Sequence, residues 1–213
     1  MALTSAKVIA NDITLGLGGT LVISGPNAGG KTVALKLVGL CALMVHAGLH
    51  LPVQEGSTLP WFTRVLTDVG DDQSLERSLS TFSAHVHNLC GFLQVAGSGT
   101  LILIDELAVG TDPDQGAALA QGVLEAMAKA RATVLVTTHY DRLKSLAALD
   151  PAVFKNASVG YDLQRLAPTY RLNLGIPGAS LALSVADRLG LPAPIIERAR
   201  GLLDEKQSGV ERL

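Results

Sequence analysis

Gly25-Pro26-Asn27-Ala28-Gly29-Gly30-Lys31-Thr32 is the stretch that decides how this chain is read. Its spacing is that of a glycine-rich phosphate-binding loop, G-x-x-x-x-G-K-[ST]. Leu21-Val22-Ile23-Ser24 before it is short, apolar and rich in β-branched residues, which predicts a buried strand. Val33 to Leu43 after it predicts a buried helix. Strand, glycine loop and helix together form the context the motif requires. The glycines let successive backbone N–H groups turn inward as an anion-binding nest. The positive end of the helix dipole is aimed at the same point. Lys31 would place a full charge against the β- and γ-phosphates, and the Thr32 hydroxyl can bind Mg²⁺.

A second signal lies downstream. Thr100-Leu101-Ile102-Leu103-Ile104 runs apolar without alternation, the pattern of a strand buried on both faces, and Asp105 and Glu106 follow directly. In open α/β sheets ligands collect beyond the carboxyl ends of the strands, so an acid pair there is a candidate site. Asp105 would hold Mg²⁺ directly or through water. Glu106 would orient or deprotonate an attacking water. Thr133-Val134-Leu135-Val136-Thr137-Thr138 predicts another strand, and His139 at its exit is a candidate γ-phosphate contact. Gly110-Thr111-Asp112-Pro113-Asp114-Gln115 opens a helix, with Asp112 as its cap and Pro113 in the first turn.

Composition narrows the class. The chain has 213 residues, 48% of them hydrophobic, which suits one globular domain with a sizeable core. A net charge of −2 argues against nucleic-acid binding by bulk electrostatics. Cys41 and Cys90 lack metal-type spacing and are expected to be buried free thiols of a reduced, cytoplasmic protein. The longest apolar run, Leu37 to Val45, is too short to span a bilayer, and the N-terminus lacks a signal-peptide pattern.

The remaining chain completes an α/β outline. Val8 to Leu15 predicts a strand, Arg64 to Val69 another, and His85 to Ala96 a helix. Ser78-Leu79-Ser80-Thr81-Phe82-Ser83 before that helix is poor helix material and reads as a polar break. Asp141 to Leu149 predicts a short helix. Asn156 to Leu163 and Thr169 to Leu174 predict a hairpin with Pro168 at the bend. Ser180 to Leu189 predicts an apolar helix, and Ile195 to Lys206 a charged one.

With those residues in place, the chain resembles the ATPase domain of MutS proteins. The resemblance rests on Gly-Pro-Asn-x-Gly-Gly-Lys-Thr, the Asp-Glu strand end, Ser80-Thr81-Phe82 and Thr138-His139-Tyr140. It runs from Val8-Ile9-Ala10-Asn11-Asp12 to Val185 through Pro192. Gly70-Asp71-Asp72-Gln73-Ser74, Gly110-Thr111-Asp112-Pro113 and Ile176-Pro177-Gly178 look most like the second bacterial paralogue. That branch is associated with suppressing homologous recombination and, in some bacteria, with rescuing collided ribosomes.

The resemblance implies a P-loop NTPase of the ABC/MutS type, with a mixed, mostly parallel sheet flanked by helices. One ATPase domain would cover residues 1–213, of which about 193–213 form a C-terminal helix leading to segments absent here. ATP and Mg²⁺ are the implied cofactors. The implied nucleotide contacts are Ile9 and Gly25, Pro26, Asn27, Ala28, Gly29, Gly30, Lys31 and Thr32. Thr32 and Asp105 would hold the metal; Glu106, His139 and Lys31 would be catalytic. Ser80, in the signature loop, would reach the γ-phosphate bound by the other subunit of a homodimer. Ala108 and Val109 replace the small, glycine-containing residues usual after the catalytic acid.

DNA or ribosome binding and any nuclease activity would belong to domains missing from this chain, and no membrane role is implied. Three alternatives stand beside this reading. A transporter or chromosome-maintenance ATPase would carry Leu-Ser-Gly-Gly-Gln, and no such run occurs. A module that binds nucleotide to dimerise, with little hydrolysis, is the non-enzyme alternative. The mismatch-repair branch is the third.

Overall fold

The computed structural model describes residues 8–26, 29–70 and 78–210, with backbone only at 78–81 and 206–210. Six strands form one sheet in the order β2-β3-β4-β1-β5-β6. They are β1 (Thr20–Ser24), β2 (Arg64–Asp68), β3 (Thr100–Ile104), β4 (Thr133–Thr137), β5 (Phe154–Asp162) and β6 (Ala167–Leu174). The first five run parallel and β6 returns antiparallel to β5. The helices are α1 (Lys31–His46), α2 (Ser78–Val95), α3 (Pro113–Lys129), α4 (Asp141–Leu149), α5 (Ala182–Arg188) and α6 (Ala193–Val210).

The unbroken apolar runs follow from burial on both faces. Every residue of β1, β3 and β4 is buried. Alternate side chains serve two cores. Val22, Ile102, Ile104, Val134 and Val136 pack with residues of α2, α3 and α4. Leu21, Ile23, Leu101, Leu103 and Leu135 pack on the other face with Leu35 and Ala42 of α1 and with Phe62. Strands that must satisfy both faces have no room for polar alternation, which is why they stand out in the sequence.

Parallel register then lines up the strand exits. Asp68 lies opposite Ile104, Ile104 opposite Val136, Thr137 opposite Ile23, and Ser24 opposite Ser158. Whatever follows these residues emerges on one edge of the sheet, around the start of α1.

Several expectations need correction. No strand forms over residues 8–16. Ile13 and Leu15 pack onto the α1-side core, and the contact with edge strand β6 is made by the Asn11 side chain, which donates to the Tyr170 carbonyl and accepts from the Leu172 N–H. The polar stretch Ser78 to Ser83 is no break: α2 begins at Ser78 and runs through it. Serine and threonine lower helix propensity by only tenths of a kcal/mol, about 0.5 each, too little to stop a helix whose next turns pack well. Pro168 lies within β6, opposite Tyr161, and the bend falls at 163–166. Proline is tolerated there because β6 is an edge strand. Cys41 is buried as expected, but Cys90 is exposed on α2. Among the described residues no helix is long and apolar enough to cross a membrane.

Candidate active site

The glycine loop leaves β1 at Ser24 and enters α1 at Lys31. Gly25 and Gly30 both adopt left-handed backbone, φ 122° and 93°, which a Cβ would strain. Gly29 has no room for a side chain, because a Cβ there would collide with the Val159 side chain of β5. Asn27 and Ala28 fall outside the described residues. Pro26 accepts at its carbonyl from the Gly29 N–H at 3.0 Å, which tightens the turn.

Lys31 is only 2% exposed. Its ammonium donates to the Gly25 carbonyl at 2.8 Å and lies 3.5 Å from Nε2 of His139. Burial pushes its pKa below the usual lysine range, while the negative charges of Glu106 and Asp105 pull the other way. The lysine side chain is thus held largely out of water beside the carboxylates of Asp105 and Glu106.

Asp105 emerges one residue beyond β3. Its two carboxylate oxygens accept from two hydroxyls, Thr32 at 2.6 Å and Thr137 at 2.5 Å. Thr137 also accepts from the Glu106 N–H at 2.8 Å, so one hydroxyl at the end of β4 fixes both acids. The Glu106 carboxylate, one-third exposed, lies 3.3 Å from Nε2 of His139. That nitrogen faces Lys31 and Glu106 at once. It accepts from the lysine in the Nδ1–H tautomer or donates to the glutamate in the Nε2–H tautomer, so its proton reports which neighbour it serves.

Glu106 and Ala108 both hold left-handed backbone, φ 53° and 61°. A non-glycine residue there costs about 1 to 2 kcal/mol. Ala108 is the position where the resemblance leads one to expect small, glycine-containing residues, and its geometry supplies the reason. The loop is braced by the Tyr140 hydroxyl, which donates to the Ala108 carbonyl at 2.9 Å. Asp112 caps α3 by accepting from the Gln115 N–H at 3.0 Å, as the sequence suggested.

The structure therefore brings Lys31, Thr32, Asp105, Glu106 and His139 to the mouth of the glycine loop. Ser80 lies in the first turn of α2, with its side chain outside the described atoms. Ile9 sits half-buried on the irregular segment ahead of Asn11. Oxygen donors from Thr32 and Asp105 suit Mg²⁺, which keeps waters and takes few protein ligands. Among the described residues no cluster of three or more His, Cys, Asp and Glu forms an all-protein cage.

Comparison with known proteins follows the same stretch. A family model described as MutS domain V matches residues 21–207. The chain belongs to the MutS domain V family. It is 50% identical over 212 residues to a Pelotomaculum thermopropionicum protein named Endonuclease MutS2, covering 99% of this chain and 27% of that one. It is 47% identical to the Putative endonuclease MutS2 of Bacillus subtilis, covering 97% and 26%. To the Endonuclease MutS2 of Thermomicrobium roseum it is 52% identical, covering 91% and 24%. The chain spans about a quarter of the length of these relatives.

Within this MutS domain, two groups escaped the sequence reading. Thr137 looked like one more β-branched strand residue; only the parallel register shows that it ends level with Asp105. Asp68, at the end of β2, accepts from His85 at 2.6 Å and from Asn88 at 2.9 Å, both on α2. Its backbone carbonyl accepts from the Asp105 N–H at 2.9 Å. His85 and Asn88 are three apart and so share a helix face, a spacing visible in the sequence that lacked a partner to give it meaning.

Proposed function

We propose that this chain binds Mg²⁺–ATP and hydrolyses it to ADP and phosphate, as an ABC-class P-loop ATPase. The observation that carries the reading is the Thr32–Asp105 hydroxyl–carboxylate pair at 2.6 Å, set beside Lys31 at the mouth of a glycine loop. Mg²⁺ bound there would neutralise phosphate charge and orient the terminal phosphoryl group. The chain's own residues account for the rest. Backbone N–H groups of the loop and the α1 N-terminus receive the phosphates. Lys31 exchanges its contact with the Gly25 carbonyl for phosphate oxygens. Glu106 orients a water in line and accepts its proton. His139 faces the same space and donates to the oxygen on which charge develops.

In a longer MutS-like protein this reaction would drive shape change in a DNA-binding homodimer. Suppression of recombination, or work on ribosomes, in the cytoplasm is the biological role the resemblance favours. DNA or ribosome contact would come from segments outside this chain. Ser80 would complete the neighbouring protomer's site.

The test is phosphate release with Mg²⁺–ATP, with Glu106→Gln as control. Retained ATP binding with lost turnover supports the reading; a wild-type chain that neither binds nor hydrolyses ATP refutes it. The shared site has its own test. Lys31→Ala chains, dead in cis, are mixed with Ser80→Ala chains, dead only in trans. Activity above either parent is expected, since one site of each mixed dimer carries neither lesion.

A further inference from the structure

The carboxylate of Asp68 has no part in the proposed reaction, yet it is buried. Asp68 ends β2 and is only 8% exposed. The strand itself does not call for this: its other residues are exposed or half-buried, and β2 is the outermost strand on its side of the sheet. Helix α2 does not need the carboxylate for packing either, because Leu89 is buried in the core with Phe92 packed against it. Taking a carboxylate out of water costs free energy that an apolar side chain of similar size would not incur. What the carboxylate adds is direction, since hydrogen bonds fix an orientation and apolar contact does not.

Both oxygens of Asp68 are used on α2. Nδ1 of His85 donates to one at 2.6 Å, and the Asn88 amide donates to the other at 2.9 Å. Arg64, at the far end of β2, donates to the Val95 carbonyl at the far end of α2 at 3.3 Å. Strand and helix therefore lie antiparallel and are pinned at two points, of which the buried one is beside the site. The Asp68 main chain reaches the other way, into the sheet. Its carbonyl accepts from the Asp105 N–H at 2.9 Å, one step beyond the pairing of Asp68 with Ile104. The end of an outer strand is where a sheet frays first. Here that end holds the main chain of the residue that would bind Mg²⁺.

We infer that Asp68 is a positioning residue, which transmits the placement of α2 through its own backbone to the Asp105 carboxylate. The inference rests on the Mg²⁺–ATP reading. Thr32 and Thr137 fix the two oxygens of Asp105. Where those oxygens can reach also depends on the main chain that carries them, and Asp68 holds that main chain. His85 and Asn88 aim Asp68, so two side chains of α2 set how well a metal is held without touching it.

Two measurements on the 213-residue chain test this. Amide hydrogen exchange followed by NMR, without nucleotide, reads the Asp105 N–H directly. His85→Ala and Asn88→Ala should each speed its exchange by about fivefold or more, the scale of a lost hydrogen bond to a charged group. The Leu103 and Val136 amides should keep their protection. Calorimetry then compares ATP binding with Mg²⁺ and with EDTA. In both variants affinity with Mg²⁺ should fall by about tenfold, the lower end of the loss when a group supporting a metal ligand is removed. Affinity in EDTA should stay within about twofold. His85→Asn places an amide N–H where Nδ1 stands and should restore both readings. Unchanged Asp105 exchange would overturn the proposal, as would faster exchange with the Mg²⁺-dependent affinity intact. Equal loss with and without Mg²⁺ would also overturn it, since α2 would then support the loop as a whole. Protection lost across the whole sheet, or His85→Asn behaving like His85→Ala, would replace an aimed ligand with simple packing. A wild-type chain that binds no ATP, or binds it equally with Mg²⁺ and EDTA, refutes the Mg²⁺–ATP reading itself, a failure distinguishable from the others because no substitution is involved.

Discussion

The glycine loop lies between two unlike neighbours. On one side stand the parallel strands β2, β3 and β4, which deliver polar groups from a rigid base: Asp105 and Thr137 reach the loop's mouth just past β3 and at the end of β4, while Asp68 at the end of β2 holds the Asp105 N–H and ties the strand to α2. On the other side stands the β5–β6 hairpin, which delivers shape. Val159 fills the space against Gly29, and Tyr170, on a bulge of β6 opposite Gly160, lies against Gly30. Every residue of β3 and β4 is buried, whereas no residue of β6 is fully buried. A site that must hold charge at fixed distances draws it from the stiff side. The loop's own packing comes from an edge hairpin, where irregular backbone breaks few pairings. The division implies that substitutions on the two sides should fail in different ways.

The sharpest break should come from Glu106→Gln, on the parallel side. Turnover should fall by about a hundredfold or more, the scale of a lost general base, while ATP affinity changes little. Steady-state phosphate release and calorimetry together read the split, and equal losses in both would erase the distinction between chemistry and fit.

Lys31→Ala acts on both sides, because Lys31 begins α1 between them. ATP binding should weaken by about a hundredfold, as expected when one partner of a buried charge-assisted contact is truncated. Calorimetry that finds unchanged affinity would remove the loop from the site altogether.

Stability should separate the regions next. Leu103→Ala in β3 should cost about 2 to 5 kcal/mol, the range for a leucine deleted from a packed core. Leu172→Ala in β6, only partly buried, should cost about 1 kcal/mol or less. Urea midpoints measure both. A hairpin as sensitive as the core would mean that β5–β6 is part of the folding unit that the parallel strands define.

The smallest effect is a proton. Burial lowers the Lys31 pKa from the usual 10.5. Between the lowered value and 10.5 the unfolded chain binds this proton more tightly, so this group's contribution to stability rises with pH across that window. Below the window the cost of burying the charge is present in full. Phosphate bound beside Lys31 favours the ammonium, so ATP binding in the same window should take up a fraction of a proton. Calorimetry in buffers of different ionisation enthalpy measures the uptake. It should vanish in Lys31→Ala, and uptake that survives the substitution would assign the proton elsewhere.

Legibility in the sequence follows the same boundary. Strands β1, β3 and β4 announced themselves because double burial forbids alternation. Asp105, Glu106 and His139 were visible because they directly follow such runs. The glycine loop was visible because its conformation restricts which residues can occupy it. Thr137 and Asp68 were not, since their meaning depends on which strands are neighbours. Val8 to Leu15 has the composition of a strand but makes its contact with β6 through the Asn11 side chain. The bulge at Tyr170 left no trace at all. A bulge three residues long is set by the register of two strands and by an asparagine 159 positions away, and no local pattern records either.

The two-faced burial of the parallel strands has a genetic consequence. Because Leu101 and Leu103 serve one core while Ile102 and Ile104 serve the other, any one of them can be exchanged for an apolar residue of similar volume at modest cost. A single codon lost or gained within Thr100–Ile104 is a different event. It moves every later side chain to the opposite core and carries the Asp105 carboxylate away from the hydroxyls of Thr32 and Thr137. In a library of variants this segment should therefore accept many spellings and only one length.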